Sequence, residues 1–374
     1  MPRVQDLGIT IGLGERGPLN AITDVPGVRV GHATINANLA DGRGVHTGVT
    51  VIEPRPGLAR QSPCFAGVHV LNGNGDATGL EWIREAGLLT SPIAFTNTHS
   101  VGVVRDSLIA LEREMLPPDD KAVYWSMPVV LETFDGLLND INGFHVKPEH
   151  VRQALLAASS GLPQEGAVGG GCGMICHEFK GGIGTASRRL PVEQGGWTVG
   201  TIVQANHGKR DALLVGGYPV GRKLTDEHSP FNTMLPYPGM GSIAVALATD
   251  APLLPHQCAR LAQRAGIGIA RTGGGTEDSS GDIFIAFSTG NEGLPPADYG
   301  SKGSLTTPVE MVNNSAISEL FVAAAEAVEE AIINALLAAE SMVGNRGYHA
   351  EGLSAETLLA ALKASGWQGT AANT

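Results

Sequence analysis

The junction Gly241-Ser242 has the residue types of a nucleophile that the chain could generate by cutting itself. It ends residues 216–241, which contain four prolines and no sustained hydrophobic period, and it opens an apolar run of strand length at 242–249. If the Gly241–Ser242 bond were cut, Ser242 would carry a hydroxyl and an α-amine, whose ordinary pKa of ~7.7–8 suits a general base. Gly241 lacks a Cβ and can adopt the backbone geometry that brings Ser242 Oγ to the preceding carbonyl. An ordinary loop-to-strand junction is the alternative interpretation.

Carboxylates also lie close together in sequence at Glu132 and Asp135, followed by Asn139-Asp140. These residues could form a turn in which Asp and Asn side chains bond their own backbone. They could equally form an ammonium site, because a partly buried carboxylate among apolar neighbours favours a cationic partner. The residues alone leave both interpretations open.

Two further patterns are better explained by structure than by chemistry. The motif Gly12-Leu-Gly14-Glu-Arg-Gly17 matches a dinucleotide fingerprint, but that motif must open a helix, and a proline follows it here. Cys172, Cys176 and His177 could offer metal ligands, but a structural zinc site needs a further ligand pair, and the remaining cysteines lie far away. We therefore predict a surface turn at the first motif, and buried cysteines without a metal at the second.

Composition excludes several classes of protein. The chain has 374 residues, of which 43% are hydrophobic, so it can bury a core. A formal charge of −12 without a basic stripe argues against nucleic-acid binding. The longest apolar stretch, 321–339, contains three glutamates, so we expect no membrane span. Four cysteines are too few for a disulfide scaffold, and the first residues lack a signal-peptide pattern, so we expect a cytoplasmic protein.

Hydrophobic periodicity predicts the elements that must position the candidate residues. Short β-branched or apolar runs indicate strands at 27–35, 47–54, 66–73, 91–104, 197–205, 212–215, 242–249 and 283–287. Helices are expected at 149–158, between an N-cap at Asp250 and a stop at Gly266, and at about 315–342. Strands buried on both faces and amphipathic helices together indicate helices covering sheets.

Motifs along nearly the whole chain resemble those of the DmpA-like family of L-aminopeptidase/D-esterases and β-aminopeptidases, which are self-processing N-terminal-serine hydrolases. Each motif is weak alone, but together, in order and at family spacing, they are specific. They are Asn20-Ala-Ile-Thr-Asp-Val-Pro-Gly-Val28, Asn72-Gly-Asn-Gly75, Thr96-Asn-Thr-His-Ser-Val-Gly102, Glu132-Thr-Phe-Asp-Gly136, Gly169-Gly-Gly171, Lys180-Gly-Gly-Ile-Gly-Thr185, Val203-Gln-Ala-Asn206, Gly241-Ser242, Asp250-Ala-Pro252 and Ser279-Ser-Gly-Asp282.

The resemblance implies a fold and a maturation step. The fold would be an α/β protein with a four-layer α/β/β/α sandwich, shared with ornithine acetyltransferases, in which residues 1–374 form a single domain. The precursor would cut itself between Gly241 and Ser242, giving an α subunit of residues 1–241 and a β subunit of residues 242–374. No metal or organic cofactor is implied.

The family's functional residues carry over by position. Ser242 would be the nucleophile and its new α-amine the base, while Ser280 would bond this nucleophile and Asp282 would orient the cluster. Asn206 matches the oxyanion-hole asparagine, which meets charge that develops in the transition state. Glu132 matches the carboxylate that receives the substrate's ammonium, which favours the ammonium-site interpretation.

Two positions depart from the family pattern. Many members have Glu where Asp282 stands, so the carboxylate here is one methylene shorter. Some members have Tyr where Phe134 stands, and Phe134 offers the substrate pocket no hydroxyl near the oxyanion. This second departure weakens the expectation of D-esterase activity in particular.

We therefore expect a self-processing aminopeptidase or amidase that acts on small peptides, amides or esters with a free amine, through an acyl-enzyme on Ser242. One alternative is an acyltransferase of the ornithine-acetyltransferase type, although those proteins use threonine where Ser242 stands. The other alternative is an unprocessed, non-catalytic binding protein. The resemblance also implies a homo-oligomer of processed heterodimers, a tetramer or higher. The sequence does not choose among L-α, D- and β-amino N-terminal residues.

Overall fold

The computed structural model describes residues 1–118, 124–224, 241–296 and 304–369. Its strands are β1 (Arg29–Asn38), β2 (Gly44–Glu53), β3 (Cys64–Gly73), β4 (Leu88–Leu89), β5 (Ile93–Asn97), β6 (Val129–Thr133), β7 (Ile175–Cys176), β8 (Phe179–Lys180), β9 (Gly182–Arg189), β10 (Thr198–Asn206), β11 (Ser242–Thr249), β12 (Gly281–Ser288), β13 (Met342–Val343) and β14 (His349–Ala350). Its α-helices are α1 (Leu80–Ala86), α2 (Val101–Met115), α3 (Pro148–Leu156), α4 (Pro255–Gln263), α5 (Ala265–Arg271), α6 (Ser318–Leu337) and α7 (Ala355–Ala364).

Two sheets form the centre of the molecule. One has four strands in the order β1-β2-β5-β6, and the other has six in the order β4-β3-β12-β11-β10-β9. Apolar side chains from both sheets meet in one buried cluster, for example Phe95 and Leu131 from the first with Ile202 and Phe287 from the second. The two sheets therefore pack face to face.

Helices cover the outer face of each sheet. Side chains of α4, α5 and α6 share a core with β9 to β12, and side chains of α2 and α3 share another with β1, β2, β5 and β6. The four layers are α/β/β/α, as the resemblance implied.

Strand β11 is buried on both faces because its side chains alternate in size. Ile243, Val245 and Leu247 face the helices, whereas Ala244 and its alternate neighbours Ala246 and Ala248 face the other sheet. Large side chains fill the helix side and methyl groups keep the two sheets close. The predicted two-sided strand is confirmed at 242–249.

Helix α6 is buried almost all around, although it was predicted to be amphipathic. Its glutamates are accommodated by buried partners: Arg188 lies 3.2 Å from Glu326 and 2.7 Å from Glu330. Glu326 also accepts hydrogen bonds from the backbone N–H groups of Leu13 and Gly14, at 2.9 Å each. The glycine motif at residues 12–17 is therefore a turn that wraps onto a helix carboxylate.

Two of the predicted strands were wrong. Residues 91–104 are not all strand, because Val101, Val104 and Leu108 are spaced to face the core as the first turns of α2. Residues 212–215 contribute only a bridge between Val215 and Tyr218.

Asp250 is not an N-cap. Its carboxylate accepts a hydrogen bond from Thr198 N–H at 2.7 Å, which pairs the backbone donor of the first residue of β10. Helix α4 begins only at Pro255. Gly266 lies inside α5 rather than ending a helix. Within the described ranges, no helix is long and apolar enough to cross a membrane.

Candidate active site

Ser242 is placed by the pairing of three strands. It is the first residue of β11, directly opposite Asn206 on antiparallel β10 and beside Gly281 on parallel β12. Its Oγ accepts a hydrogen bond from Gly281 N–H at 3.1 Å. The strand register therefore gathers three residues that are far apart in sequence at one end of the six-stranded sheet.

Ser280 and Asp282 form a hydrogen-bonded pair next to this position. Ser280 Oγ donates to Asp282 Oδ1 at 2.5 Å, and both residues are buried. Burial raises the pKa of Asp282 to about 6, and the negative charge of Glu277 adds to the rise, while the bond from Ser280 opposes it. The single hydroxyl proton of Ser280 is donated to Asp282, so Ser280 Oγ can only accept in any further hydrogen bond.

Asn206 is fixed at both ends of its amide. Its Oδ1 accepts from Ile175 N–H at 2.7 Å, and its Nδ2 donates to the carbonyl oxygen of Phe134 at 3.0 Å. The second hydrogen on Nδ2 is suited to a substrate oxygen, because Asn206 also lines the cavity that contains Ser242. The amide orientation needed for an oxyanion donor is thus imposed by two backbone groups.

Glu132 lies near the end of β6 and is buried, at 5% exposure. Its Oε1 accepts from Asp76 N–H at 2.9 Å, and its Oε2 accepts from Thr98 Oγ1. Burial raises the pKa of Glu132, although both of these hydrogen bonds oppose the rise. A cation that entered the site would favour the charged form of this carboxylate.

One cavity of about 490 Å³ joins Glu132, Asn206 and Ser242, whereas Ser280 and Asp282 are not among the residues that line it. Its lining includes Glu132, Phe134, Asn206, Gly241 and Ser242. The four-stranded sheet supplies the carboxylate and the six-stranded sheet supplies the serine and the asparagine. The cavity therefore offers a small ligand an anionic end, an amide donor and a hydroxyl.

Sequence reasoning missed three contributors to this site. Thr98 lies inside the motif at residues 96–102, but nothing in the local sequence indicated that it would donate a hydrogen bond to Glu132. The backbone donors of Gly281 and Ile175 were also missed, because only strand pairing shows where an N–H group points. Phe134 acts on the site through its carbonyl oxygen as well as through its exposed ring.

A second cluster of polar side chains lies behind the site. Ligand atoms of Cys176, His177 and His207 lie within 4.8 Å of one another, and all three residues are buried. Burial raises the pKa of the Cys176 thiol to about 12 and lowers the pKa of both imidazoles, so the three groups are neutral. Three ligands near the buried ammonium of Lys180 do not complete a four-coordinate zinc set, and we assign the cluster to packing.

The layered fold and the serine that opens a central strand are features of the N-terminal-nucleophile hydrolases. The chain belongs to peptidase family S58, whose sequence model matches residues 20–350. It is 45% identical over 375 residues to the β-peptidyl aminopeptidase BapA of Sphingosinicella microcystinivorans. The alignment covers 97% of this chain and 92% of that protein.

Solved structures agree with this assignment. The chain is similar to a β-aminopeptidase from Burkholderia sp., with 66% identity, a TM-score of 0.92, and coverage of 98% of this chain and 100% of that one. It is also similar to the L-aminopeptidase D-Ala-esterase/amidase of Ochrobactrum anthropi, with 43% identity, a TM-score of 0.88, and coverage of 98% and 99%. The protein is a serine aminopeptidase that acts on peptides, and the transferase and non-catalytic alternatives are not favoured.

Proposed function

We propose that Ser242 becomes the catalytic nucleophile after cleavage of the Gly241–Ser242 bond. The observation that carries this proposal is the strand register, because it holds Ser242 opposite Asn206 in the cavity that also contains Glu132. Residues 1–241 and 242–374 are then the two subunits of one domain.

The groups in the cavity account for each step of an aminopeptidase cycle. The substrate's ammonium binds Glu132, and its scissile carbonyl oxygen accepts from Asn206 Nδ2. Ser242 Oγ attacks the carbonyl carbon and its proton passes to the Ser242 α-amine, which returns it to the departing amine. Water then attacks the ester with help from the same amine, releasing the N-terminal residue and restoring the hydroxyl.

Ser280 and Asp282 support the base in this cycle. The lone pairs of Ser280 Oγ can accept from the new α-amine, and Asp282 offsets the positive charge that this amine gains during the reaction. Burial raises the pKa of Asp282 only to about 6, which is below neutral pH. The carboxylate therefore stays mainly ionised and can play this part.

We further propose that the preferred substrates are small peptides and amides whose N-terminal residue is a β-amino acid. Two relatives, from Sphingosinicella microcystinivorans and Sphingosinicella xenopeptidilytica, are named β-peptidyl aminopeptidases, and the Burkholderia structure is that of a β-aminopeptidase. A direct comparison of kcat/KM for matched β-amino and L-α-amino anilides tests this preference.

Processing itself gives the sharpest test of the proposed nucleophile. Denaturing electrophoresis of the wild type should show fragments of about 25 and about 14 kDa, from residue shares of the 38.7 kDa chain. Ser242→Ala should give one intact, inactive band, because it removes the hydroxyl that both reactions need. Cleavage or activity that survives in Ser242→Ala would place the nucleophile elsewhere.

We also propose that processed heterodimers assemble into a homo-oligomer, a tetramer or higher, in the cytoplasm. Large apolar side chains of Leu13, Leu156, Val192 and Leu305 are exposed and available for contacts between copies. The four cysteines are all free, which fits a reducing compartment. Light scattering on the purified wild type measures the mass of the assembly.

A further inference from the structure

A short hairpin made by β7 and β8 lies against Asn206. Its two turn residues, His177 and Glu178, are not glycines, yet they have φ values of 46° and 60°. Such left-handed residues persist only where surrounding contacts hold them. Here His177 N–H donates to the carbonyl oxygen of His207 at 2.7 Å, and His177 Nδ1 contacts that of Lys209 at 2.8 Å. The tip of the hairpin is thus tied to the chain that follows Asn206.

The base of the hairpin is closed by a backbone hydrogen bond from Gly181 N–H to the carbonyl oxygen of Met174 at 2.8 Å, and a buried lysine adds to this closure. Lys180 is fully buried, and its Nζ donates to the carbonyl oxygens of Met174 at 3.0 Å and Gly181 at 2.8 Å. These two residues flank the hairpin on either side, so one ammonium joins its two ends. Burying an ammonium is costly, and a neutral side chain of similar size would fill the same space at lower cost.

The same hairpin supplies the donor that orients Asn206. Ile175 pairs with Lys180 across the hairpin, and Ile175 N–H donates to Asn206 Oδ1 at 2.7 Å. Because the side-chain amide is planar, fixing Oδ1 also fixes the direction of both hydrogens on Nδ2. Ile175 N–H and the Phe134 carbonyl oxygen together therefore set the direction of the oxyanion donor, and the hairpin supplies the first of the two.

We propose that Lys180 is a positioning residue for the oxyanion donor, acting through the Met174 and Gly181 carbonyls and Ile175 N–H on the amide of Asn206. This inference rests on the proposed function, in which Asn206 stabilises the oxyanion. Without the ammonium, the carbonyl oxygens of Met174 and Gly181 lose the donor that they share. The Gly181 N–H bond then holds the base without this support, so the position of Ile175 loosens. Asn206 then loses alignment in the transition state while Glu132 still binds the ammonium.

A double-mutant cycle tests this coupling. Lys180→Met should lower kcat by about 10- to 100-fold and leave KM within about twofold, since losing one oxyanion donor outright costs ~10²–10³ in rate. In an Asn206→Ala background, the same substitution should change kcat by less than about threefold. Rates are normalised to the processed fraction on a denaturing gel, and melting temperatures are recorded for each variant.

Controls separate the possible failures. Lys147→Met removes an exposed lysine at the start of α3, which packs on the four-stranded sheet, and should leave kcat and KM unchanged. If Lys180→Met yields no folded protein, Lys180→Gln, which keeps one donor, takes its place in the cycle with a smaller expected loss. An equal loss of kcat in the wild-type and Asn206→Ala backgrounds would overturn the inference. Activity that survives Ser242→Ala would instead overturn the proposed function.

Discussion

At the scale of single residues, Glu132 shows how a carboxylate is prepared for a cationic ligand. Asp76 N–H and Thr98 Oγ1 each donate to one of its oxygens, so its orientation is set before a substrate arrives. Two neutral donors only partly compensate the loss of water, and the pKa of Glu132 stays raised by burial. An incoming ammonium supplies the missing positive charge.

Glu132→Gln should therefore weaken the binding of substrates with a free amine. We expect their KM to rise by about 10- to 100-fold, because a hydrogen bond to a charged group contributes about 1.5–3 kcal/mol. N-acylated ester substrates, which carry no ammonium, should change by less than about threefold. Steady-state kinetics on the two substrate types measures this difference.

Glu114→Gln is the matched control for this substitution, since Glu114 is exposed on α2, pairs with Arg152 and does not line the cavity. Its kinetics should equal those of the wild type. If Glu132→Gln changed KM equally for free-amine and N-acylated substrates, Glu132 would not be the residue that binds the ammonium.

At the scale of elements, the start of β11 is pressed tightly against the end of β10. A Cβ built on Gly241 would lie 1.8 Å from the carbonyl oxygen of Asn206, a backbone atom that cannot move aside without shifting the strand. Close packing therefore requires a glycine at this position, next to the proposed cleavage site. This steric requirement adds to the conformational freedom that the sequence analysis assigned to Gly241.

Gly241→Ala should slow self-cleavage. The added methyl group displaces the scissile bond from the strand end, and we expect precursor to accumulate with cleavage at least about tenfold slower. A time course on denaturing gels after purification gives the rate.

Gly102→Ala is the control, because Gly102 lies in α2 and a Cβ there meets nothing within 4 Å. This variant should be cleaved at the wild-type rate. If Gly241→Ala were also cleaved at the wild-type rate, the chain would be able to relieve the contact between the added methyl group and the Asn206 carbonyl oxygen at no cost.

At the scale of the whole molecule, the proposed cut divides a domain whose two parts are interleaved. Strands β11 and β12, from residues after the cut, lie between β3 and β10, from residues before it. Helix α6 also packs on β9 and β10 across the same division. Separating the fragments would break the β3–β12 pairing, the β10–β11 pairing and the packing of α6 on β9 and β10 at once.

The two fragments should therefore stay together after processing. Under native conditions, size-exclusion chromatography should give one peak that contains both fragments in equal molar amounts. Concentrated urea should release them, which provides the control for the detection of each fragment. A separate native peak of the ~14 kDa fragment would contradict the interleaved arrangement.

Several features of this protein follow from local sequence. The almost wholly apolar run from Ser242 to Thr249 predicted a strand buried on both faces, and the structure confirms it. The layered α/β/β/α architecture followed from the motifs, which also identified Glu132, Asn206 and Ser242. These residues could be found because motif spacing and periodicity are properties of short segments.

Other features depended on partners far away in sequence. The sequence predicted that Asp250 caps a helix, but its carboxylate accepts a hydrogen bond from Thr198 N–H instead. This donor at the start of β10 competes with a helix N-terminus for the same carboxylate. The hairpin around Lys180 lay unseen in a glycine-rich tract, and its contact with Asn206 spans 31 residues.

The sequence by itself determined the family, the candidate residues for the chemistry, and the segments that are apolar enough to form the layers. Only the tertiary structure decided that Asn206 lies opposite Ser242, that Gly281 N–H bonds its hydroxyl, and that Glu132 faces the same cavity. The physical reason is that strand register is fixed by packing of whole sheets, and a shift of one residue would turn each of these side chains to the other face.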